Sequence, residues 1–120
     1  MAGTLTISTL SDGTNSTSST NCIQGSAKAW VRFNNGSINA SYNVSSVTRN
    51  GTGDYSINLT NALADTNYVV TGTCQQATNN YGSCVNFPYN AAPTTSVARI
   101  ATAYYTAVFD ATYVSVAIFR

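Results

Sequence analysis

The sequence has few charged residues and lacks two side chains on which enzymes often depend. Charged residues make up 8% of the 120-residue chain, and both histidine and glutamate are absent. General acid–base catalysis at neutral pH usually requires histidine, or a carboxyl group whose pKa is shifted. The acidic residues, all in or beside predicted turns, are Asp12, Asp54, Asp65 and Asp110. Aspartate commonly accepts backbone hydrogen bonds in turns. We therefore predict a protein that is not an enzyme, with a paired-aspartate glycosidase as the enzymatic alternative.

The donors and loops that hold metals, cofactors or phosphates are also missing. Three cysteines without C-x-x-C spacing, in a chain without histidine, do not match a zinc site. The G-x-G of Gly51-Thr52-Gly53 lacks the third glycine of a dinucleotide loop and the Lys-Ser/Thr pair of a phosphate loop. We predict no metal and no cofactor, and we interpret Asn50–Asp54 as a hairpin loop with a left-handed residue at Asn50 or Gly51.

Long apolar runs and a strong net charge are absent too. No stretch approaches the roughly 20 apolar residues that span a bilayer, and the N-terminus lacks the pattern of a secretory signal. A net charge of +1 provides little attraction for a nucleic acid or an anionic membrane. We therefore expect synthesis in the cytoplasm, no membrane insertion and no nucleic-acid partner.

The residues that are abundant favour strands. The chain contains 14 Ser, 18 Thr and 14 Asn, together with 8 Tyr. Threonine, valine, tyrosine and isoleucine suit a pleated surface, and no helical periodicity of useful length occurs. About six or seven short alternating segments, separated by turn signals, predict an all-β domain. We expect a single antiparallel β-sandwich or small barrel over residues 27–120, preceded by an extended arm over residues 1–26.

Alternating residues predict which side chains face the core. In Ala27–Asn34 the odd-numbered apolar residues form one face, while Lys28, Trp30 and Arg32 form the other. Ile38 to Val44 continues as a second strand, and the pattern slips by one residue at Ser45-Ser46, which predicts a bulge. Gln75–Thr95 looks like a long loop, which usually indicates function or contact with a partner.

The N-terminal residues predict a docking segment. Leu5, Ile7 and Leu10 are apolar, and Ser11–Asn21 has the composition of a flexible connector. Such an arm buries almost nothing by itself. We therefore expect it to bind a partner through Leu5, Ile7 and Leu10.

Several aromatic residues are candidates for contact with a ligand or partner. They are Trp30, Tyr81, Phe87 and Tyr89. Aromatic rings beside Asn and Thr are typical of carbohydrate-binding surfaces, although such rings also fill cores and subunit interfaces. Cys74 and Cys84 could close a short loop as a disulfide after oxidation, or both remain thiols.

Two passages of the sequence resemble a known domain. They are "AKAWVRFNN" and "SYNVSSVTRNGTGDYSINLTNALADTNYVV", and the closing "YVSVAIFR" extends the likeness. Together they resemble a small β-rich domain of tailed-bacteriophage virion proteins, of the tail-fibre or virion structural type. The resemblance covers roughly residues 27–70, and its most specific parts are the N-G-T-G-D-Y hairpin and the A-W-V-x-F strand.

The resemblance implies a non-enzymatic protein on the surface of a phage particle. It would be a tail fibre-like module or a capsid decoration protein, commonly a homotrimer, with other virion proteins as partners. Release by lysis would make a signal peptide unnecessary. The alternative function is a receptor-binding module that uses its loop aromatics on a host-surface glycan.

Overall fold

Strands make up most of the regular structure in the computed structural model, which describes residues 2–78, 82–88 and 90–120. The strands are β1 (Thr9–Ser11), β2 (Ser16–Ser18), β3 (Ala27–Asn34), β4 (Ser37–Tyr42), β5 (Val44–Gly51), β6 (Asp54–Leu59), β7 (Val69–Gln75), β8 (Cys84–Asn86), β9 (Val97–Tyr104), β10 (Ala107–Val108) and β11 (Tyr113–Phe119). A short helix, α1 (Ser19–Gly25), lies between β2 and β3. The predicted all-β sandwich is confirmed.

Nine strands, β3 to β11, form two antiparallel sheets in the described part of the chain. Sheet I has the order β4-β3-β11-β7, and sheet II has the order β10-β9-β6-β5 with β8 also paired to β9. The sequence predicted six or seven strands. It did not reveal β8 and β10, because three and two residues are too few to show an alternation of apolar and polar side chains. The predicted loop 75–95 therefore contains a strand.

The core lies between the sheets and confirms the alternation read from the sequence. Ala29, Val31 and Phe33 of β3 are buried, as are the apolar residues of β6. The rings of Phe33 in sheet I and Tyr55 in sheet II meet edge to face, with centroids 5.0 Å apart. This contact joins the two layers at fully buried positions, where aromatic side chains contribute most to stability.

Asn43 is the corner at which the chain crosses from sheet I to sheet II. The prediction of one continuous strand from Ile38 to Val44 is wrong, because β4 ends at Tyr42 and β5 begins in the other sheet. Asn43 has a φ of 56°, a left-handed conformation that asparagine tolerates better than most residues. Its amide donates to the Lys28 carbonyl, and its side-chain oxygen accepts from the Asn61 backbone N–H.

The predicted bulge near Ser45-Ser46 is confirmed. Val44 pairs with Leu59 and Ser46 pairs with Asn58, which leaves Ser45 as the extra residue of β5. The bulge restores Val47 to the core face, where it is 9% exposed. A bulge of this kind shifts the inward and outward alternation of side chains by one position, and the strands remain paired.

Candidate functional site: two interaction surfaces

The N-terminal arm is more ordered than its composition suggests. The sequence predicted a flexible connector over Ser11–Asn21, but β1 and β2 form a hairpin, and α1 follows it directly. Ser18 caps the helix by accepting a hydrogen bond from the Asn21 backbone N–H, a standard role for serine. Asp12 closes the hairpin by accepting from the N–H groups of Thr14 and Asn15.

Apolar side chains of the arm gather on one side of it. Leu5, Ile7 and Leu10, the predicted docking residues, line a common concavity with Cys22 and Ile23. Their exposed fractions are high: 81% for Leu5, 52% for Leu10 and 65% for Ile23. We call Leu5, Ile7, Leu10 and Ile23 the arm cluster. None of residues 2–26 is buried, so the arm cluster lies outside the sandwich core.

The arm also lengthens the molecule. The Cα radius of gyration is 16.7 Å and the longest extent is 47 Å. A compact chain of this length would have a radius of gyration of about 14 Å. The arm therefore projects from the sandwich, which leaves the arm cluster accessible to a partner.

The second surface is the solvent-facing side of sheet I. Strand register places Tyr42, Trp30, Ala117 and Thr71 in one row across the sheet, and Ala40, Arg32, Ser115 and Thr73 in the next. We call these eight residues the outer face. Trp30 is 42% exposed and Tyr42 is 58% exposed. The small side chains of β7 and β11 leave a shallow open trough beside Trp30 and Arg32.

The prediction that Trp30 and Arg32 share one face of β3 is confirmed. Lys28, predicted on the same face, lies instead at a bulge of β3. Arg32 lies two residues from Trp30 on the same side of β3, and its guanidinium carbon is 4.7 Å from the centre of the Tyr113 ring. Lys28 donates a hydrogen bond to the Ile23 carbonyl of α1. Among the described residues, neither Lys28 nor Arg32 forms an ion pair with a carboxylate.

Phe87, the loop aromatic that the structure describes, does not line the trough beside Trp30. Phe87 is 45% exposed and its ring lies 6.4 Å from the largely buried Tyr68 ring. It therefore partly covers the core instead of standing free. Tyr81 and Tyr89, the other predicted contacts, lie outside the described residues.

Cys74 and Cys84 are close together but are free thiols, like Cys22. The Cys74 thiol lies 3.5 Å from the Cys84 carbonyl oxygen, across the junction of β7 and β8. Burial raises the pKa of Cys74, so its reactive thiolate form is disfavoured. Cys74 and Cys84 therefore lie close together as thiols, and their pairing after oxidation stays a prediction.

Three of the four aspartates form ion pairs with arginine. The pairs are Asp54 with Arg99, Asp65 with Arg120 and Asp110 with Arg49. Hydrogen bonds from these guanidinium groups lower the pKa of all three carboxyl groups. A general acid needs the opposite shift, so this arrangement favours a structural role for the aspartates.

Asp110 is the centre of a polar cluster behind the Asn50–Asp54 turn. Its carboxylate accepts from Arg49, from the Gly53 backbone N–H at 3.0 Å and from the Tyr55 hydroxyl at 3.0 Å. Arg49 first, and then the Gly53 N–H, hold the pKa of Asp110 at about 2. These hydrogen bonds therefore hold the turn against the segment after β10.

The left-handed residue of this turn is Gly53, so the prediction of Asn50 or Gly51 is wrong. Gly53 has a φ of 63°. A Cβ at Gly53 would lie within 2.8 Å of backbone atoms of Thr102 and Phe109, whereas nothing lies within 4 Å of one at Gly51. Three backbone segments approach one another closely at Gly53, and this explains the second glycine of the G-x-G. A phosphate or metal is not needed to explain it.

Acid should destabilise the fold below about pH 4. The pKa values of Asp65 and Asp110, both about 2, lie below the ordinary aspartate value of 3.8. The unfolded chain therefore takes up protons first as the pH falls. The stability from these carboxylates is complete above about pH 4 and is lost toward pH 2.

Urea unfolding followed by circular dichroism between pH 2 and 7 tests this expectation. The midpoint should stay nearly constant from pH 5 to 7, because the chain has no histidine or glutamate, and should fall below that range. Asp110→Asn should show a weaker acid dependence. A midpoint that rises on acidification would contradict the role given to these ion pairs.

Sequence reasoning missed two parts of these surfaces. Ile23 was not assigned to the arm cluster, although it is an isolated apolar residue after a serine-rich cap, which is a weak helix signal. Asp110 was interpreted as a turn residue, and no local pattern links it to Arg49, 61 positions away.

No helix in the described parts of the chain is long and apolar enough to cross a membrane. Comparison of the whole chain with models of protein families, with curated proteins and with solved structures finds no match. The two surfaces are therefore the structural basis for a proposed function.

Proposed function

We propose that the protein is a non-enzymatic structural module on the surface of a bacteriophage particle, attached through its N-terminal arm. It is a tail fibre-like module or a capsid decoration protein, and it assembles as a homotrimer. The phage setting and the trimer rest on the resemblance of residues 27–70. The docking role rests on the structure of the arm, which is independent of that resemblance.

The exposed arm cluster is the observation that carries the proposed docking role. Leu5, Ile7, Leu10 and Ile23 are exposed to solvent, and together they line one concavity of the arm. Burial of one such side chain contributes roughly 1.5–3 kcal/mol. A partner that covers the arm cluster would therefore gain several kcal/mol, while the sandwich itself stays unchanged.

The polar groups of the sandwich support a role without catalysis. Asp54, Asp65 and Asp110 are each committed to an arginine, and their pKa values are lowered. These carboxylates are ionised, and an arginine balances the charge of each one. Such ion pairs stabilise the loops that they join. They do not supply the protonated acid that a paired-aspartate glycosidase needs.

Replacing Leu5, Ile7 and Leu10 by serine should lower incorporation into particles at least tenfold. The change removes apolar contact area from the docking surface, and about 1.4 kcal/mol of lost binding already corresponds to a factor of ten. Quantitative mass spectrometry of purified particles measures the incorporated chain. Circular dichroism should show an intact sandwich, because none of the three residues is buried.

A matched control replaces two exposed valines elsewhere, Val69→Ser and Val108→Ser, which are 64% and 55% exposed. Incorporation of this control should stay within twofold of the unmodified chain. Normal incorporation of the arm variant, with the sandwich folded, would refute docking through the arm.

Recognition of a host-surface glycan is the second candidate function. The exposure of Trp30 on the outer face favours it, at a site different from the predicted aromatic loop. On a particle, the outer face would bind the host surface, while the arm binds the particle itself.

A further inference from the structure

We infer that the outer face binds an acidic polysaccharide, with one sugar ring stacked on Trp30 and a sugar carboxylate bound by Arg32. The inference gives a ligand class to the second candidate function and moves it from the loop to sheet I. Binding by the sandwich does not require the arm or a particle, so it stands independently of the proposed docking.

The shape of the outer face fits an extended chain. Trp30 and Tyr42 lie directly opposite each other on β3 and β4, so both aromatic side chains lie on the same side of the sheet. On the other side of Trp30, Ala117 and Thr71 continue the row with small side chains. The resulting trough is open, as a site for the interior of a polymer must be. An aromatic ring offers a broad apolar surface for the C–H face of a sugar.

Hydroxyl groups line the floor of the trough. Thr71, Thr73 and Ser115 project from neighbouring positions of β7 and β11, and all three belong to the lining of the trough. A serine or threonine hydroxyl both donates and accepts hydrogen bonds. Sugar hydroxyls do the same, so the floor matches a carbohydrate better than an apolar peptide.

The charge on the outer side of β3 selects an anionic ligand. Arg32 lies beside Trp30, while Asp54, Asp65 and Asp110 are paired with the other three arginines. Lys28 lies at a bulge of β3 and donates a hydrogen bond to the Ile23 carbonyl instead. The remaining acid, Asp12, is bound to its own turn in the arm. Among the described residues, Arg32 is thus the arginine without a carboxylate partner, and it lies beside the single tryptophan.

Arg32 is already positioned for a carboxylate. Its guanidinium stacks on the Tyr113 ring at 4.7 Å, which limits its motion. A guanidinium held by its face still presents N–H groups at its edge, and these bind a carboxylate in a bidentate manner. Residues i and i+2 of a strand lie about 7 Å apart on one face, so a ring stacked on Trp30 brings its substituents to Arg32.

Two other occupants fit less well. A second copy docked face to face would bring the Arg32 cations of both copies into one interface in which none of the eight outer-face residues is a carboxylate, and like charges in an interface are unfavourable. Single-stranded nucleic acid also stacks on aromatic rings, but its binding sites track the backbone with a longer basic groove than one arginine provides. An acidic polysaccharide needs only the aromatic ring, the hydroxyl floor and one cation.

Tryptophan fluorescence of the full chain tests the inference directly, because Trp30 is the only tryptophan. The probes are polygalacturonate, alginate and polysialic acid, with fully methyl-esterified polygalacturonate as the neutral match. We expect at least one acidic polymer to shift or quench the emission in a saturable manner. The methyl ester should bind at least tenfold more weakly, and added salt should weaken binding of the acidic polymer.

Variants assign the binding to the outer face. By affinity electrophoresis, Trp30→Ala and Arg32→Gln should each lower the affinity for the acidic polymer at least tenfold. Tyr105→Ala, at an 88% exposed aromatic position away from sheet I, should leave it unchanged. Arg32→Gln keeps Trp30 in place, so it also tests the charge requirement if Trp30→Ala disturbs the strand.

Several results would overturn the inference. They are a failure of all three acidic polymers to bind, equal binding of the methyl ester, tighter binding of single-stranded DNA, or unchanged affinity of both outer-face variants. Loss of particle incorporation by arm variants would not affect any of these measurements, so failure of the inference and failure of the docking proposal are separable.

Discussion

Gly53→Ala is expected to lower the free energy of unfolding by about 3 kcal/mol or more. The left-handed conformation of Gly53 costs an alanine roughly 1–2 kcal/mol. Its Cβ would also lie 2.7 Å from the Thr102 carbonyl oxygen and 2.8 Å from backbone atoms of Phe109. Because these are backbone atoms, relief of the clash requires β9 and the segment after β10 to move apart.

The neighbouring glycine of the same G-x-G is the control. A Cβ at Gly51 meets nothing within 4 Å, and Gly51 does not have a positive φ. Gly51→Ala should therefore change the free energy of unfolding by about 0.5 kcal/mol or less. Urea denaturation of the two variants measures the difference. Equal stability of the two alanine variants would contradict the account of this turn.

Phe33→Ala should destabilise the sandwich by about 3–5 kcal/mol. Phe33 is 0% exposed and packs edge to face against Tyr55 of the opposite sheet. Truncation therefore removes a large apolar side chain from the contact between sheets, and it leaves a cavity beside Tyr55. Urea unfolding should show a single transition with a much lower midpoint, or a chain that no longer folds.

Phe87→Ala is the matched substitution at a half-exposed position. The Phe87 ring contacts Tyr68 at the margin of the core and is 45% exposed. Its removal should cost about 1 kcal/mol, because less apolar surface returns to water. A larger loss of unfolding free energy for Phe87→Ala than for Phe33→Ala would show that the core is not centred on Phe33.

Alternation was sufficient to predict much of the sandwich. In β3 and β6, every second residue is apolar, and the side-chain period of a strand assigns these residues to one face. The buried positions Val31, Phe33 and Ile57 follow from that rule alone. The outward placement of Trp30 was predictable for the same reason, as was the bulge at Ser45, where the alternation slips.

Features that depend on distant parts of the chain were not predictable in this way. Asp110 approaches Arg49 because the segment after β10 lies against the turn between β5 and β6, where the Gly53 N–H also donates to Asp110. Position 53 has no room for a side chain, because the backbone of β9 and of the segment after β10 lies too close to Gly53. The sheet change at Asn43 leaves the local alternation intact, so the sequence shows no break there.

The two interaction surfaces differ in how far the sequence revealed them. The apolar residues Leu5, Ile7 and Leu10 identified the arm, because they stand out in a polar segment. The hydroxyl floor of the outer face depends on the register of β7 and β11 against β3, which joins residues far apart in sequence. A prediction of strands alone cannot give that register.

Imaging of intact particles tests the central claim most directly. Purified tailed-phage particles whose genome encodes the chain would be labelled with an antibody against the sandwich and viewed by electron cryomicroscopy. The account predicts label at regular positions on the outer surface, on the capsid or at the tail, with the arm cluster inaccessible to reagents until the particle is dissociated. Particles that lack the chain, or that expose it only after disruption, would contradict the account.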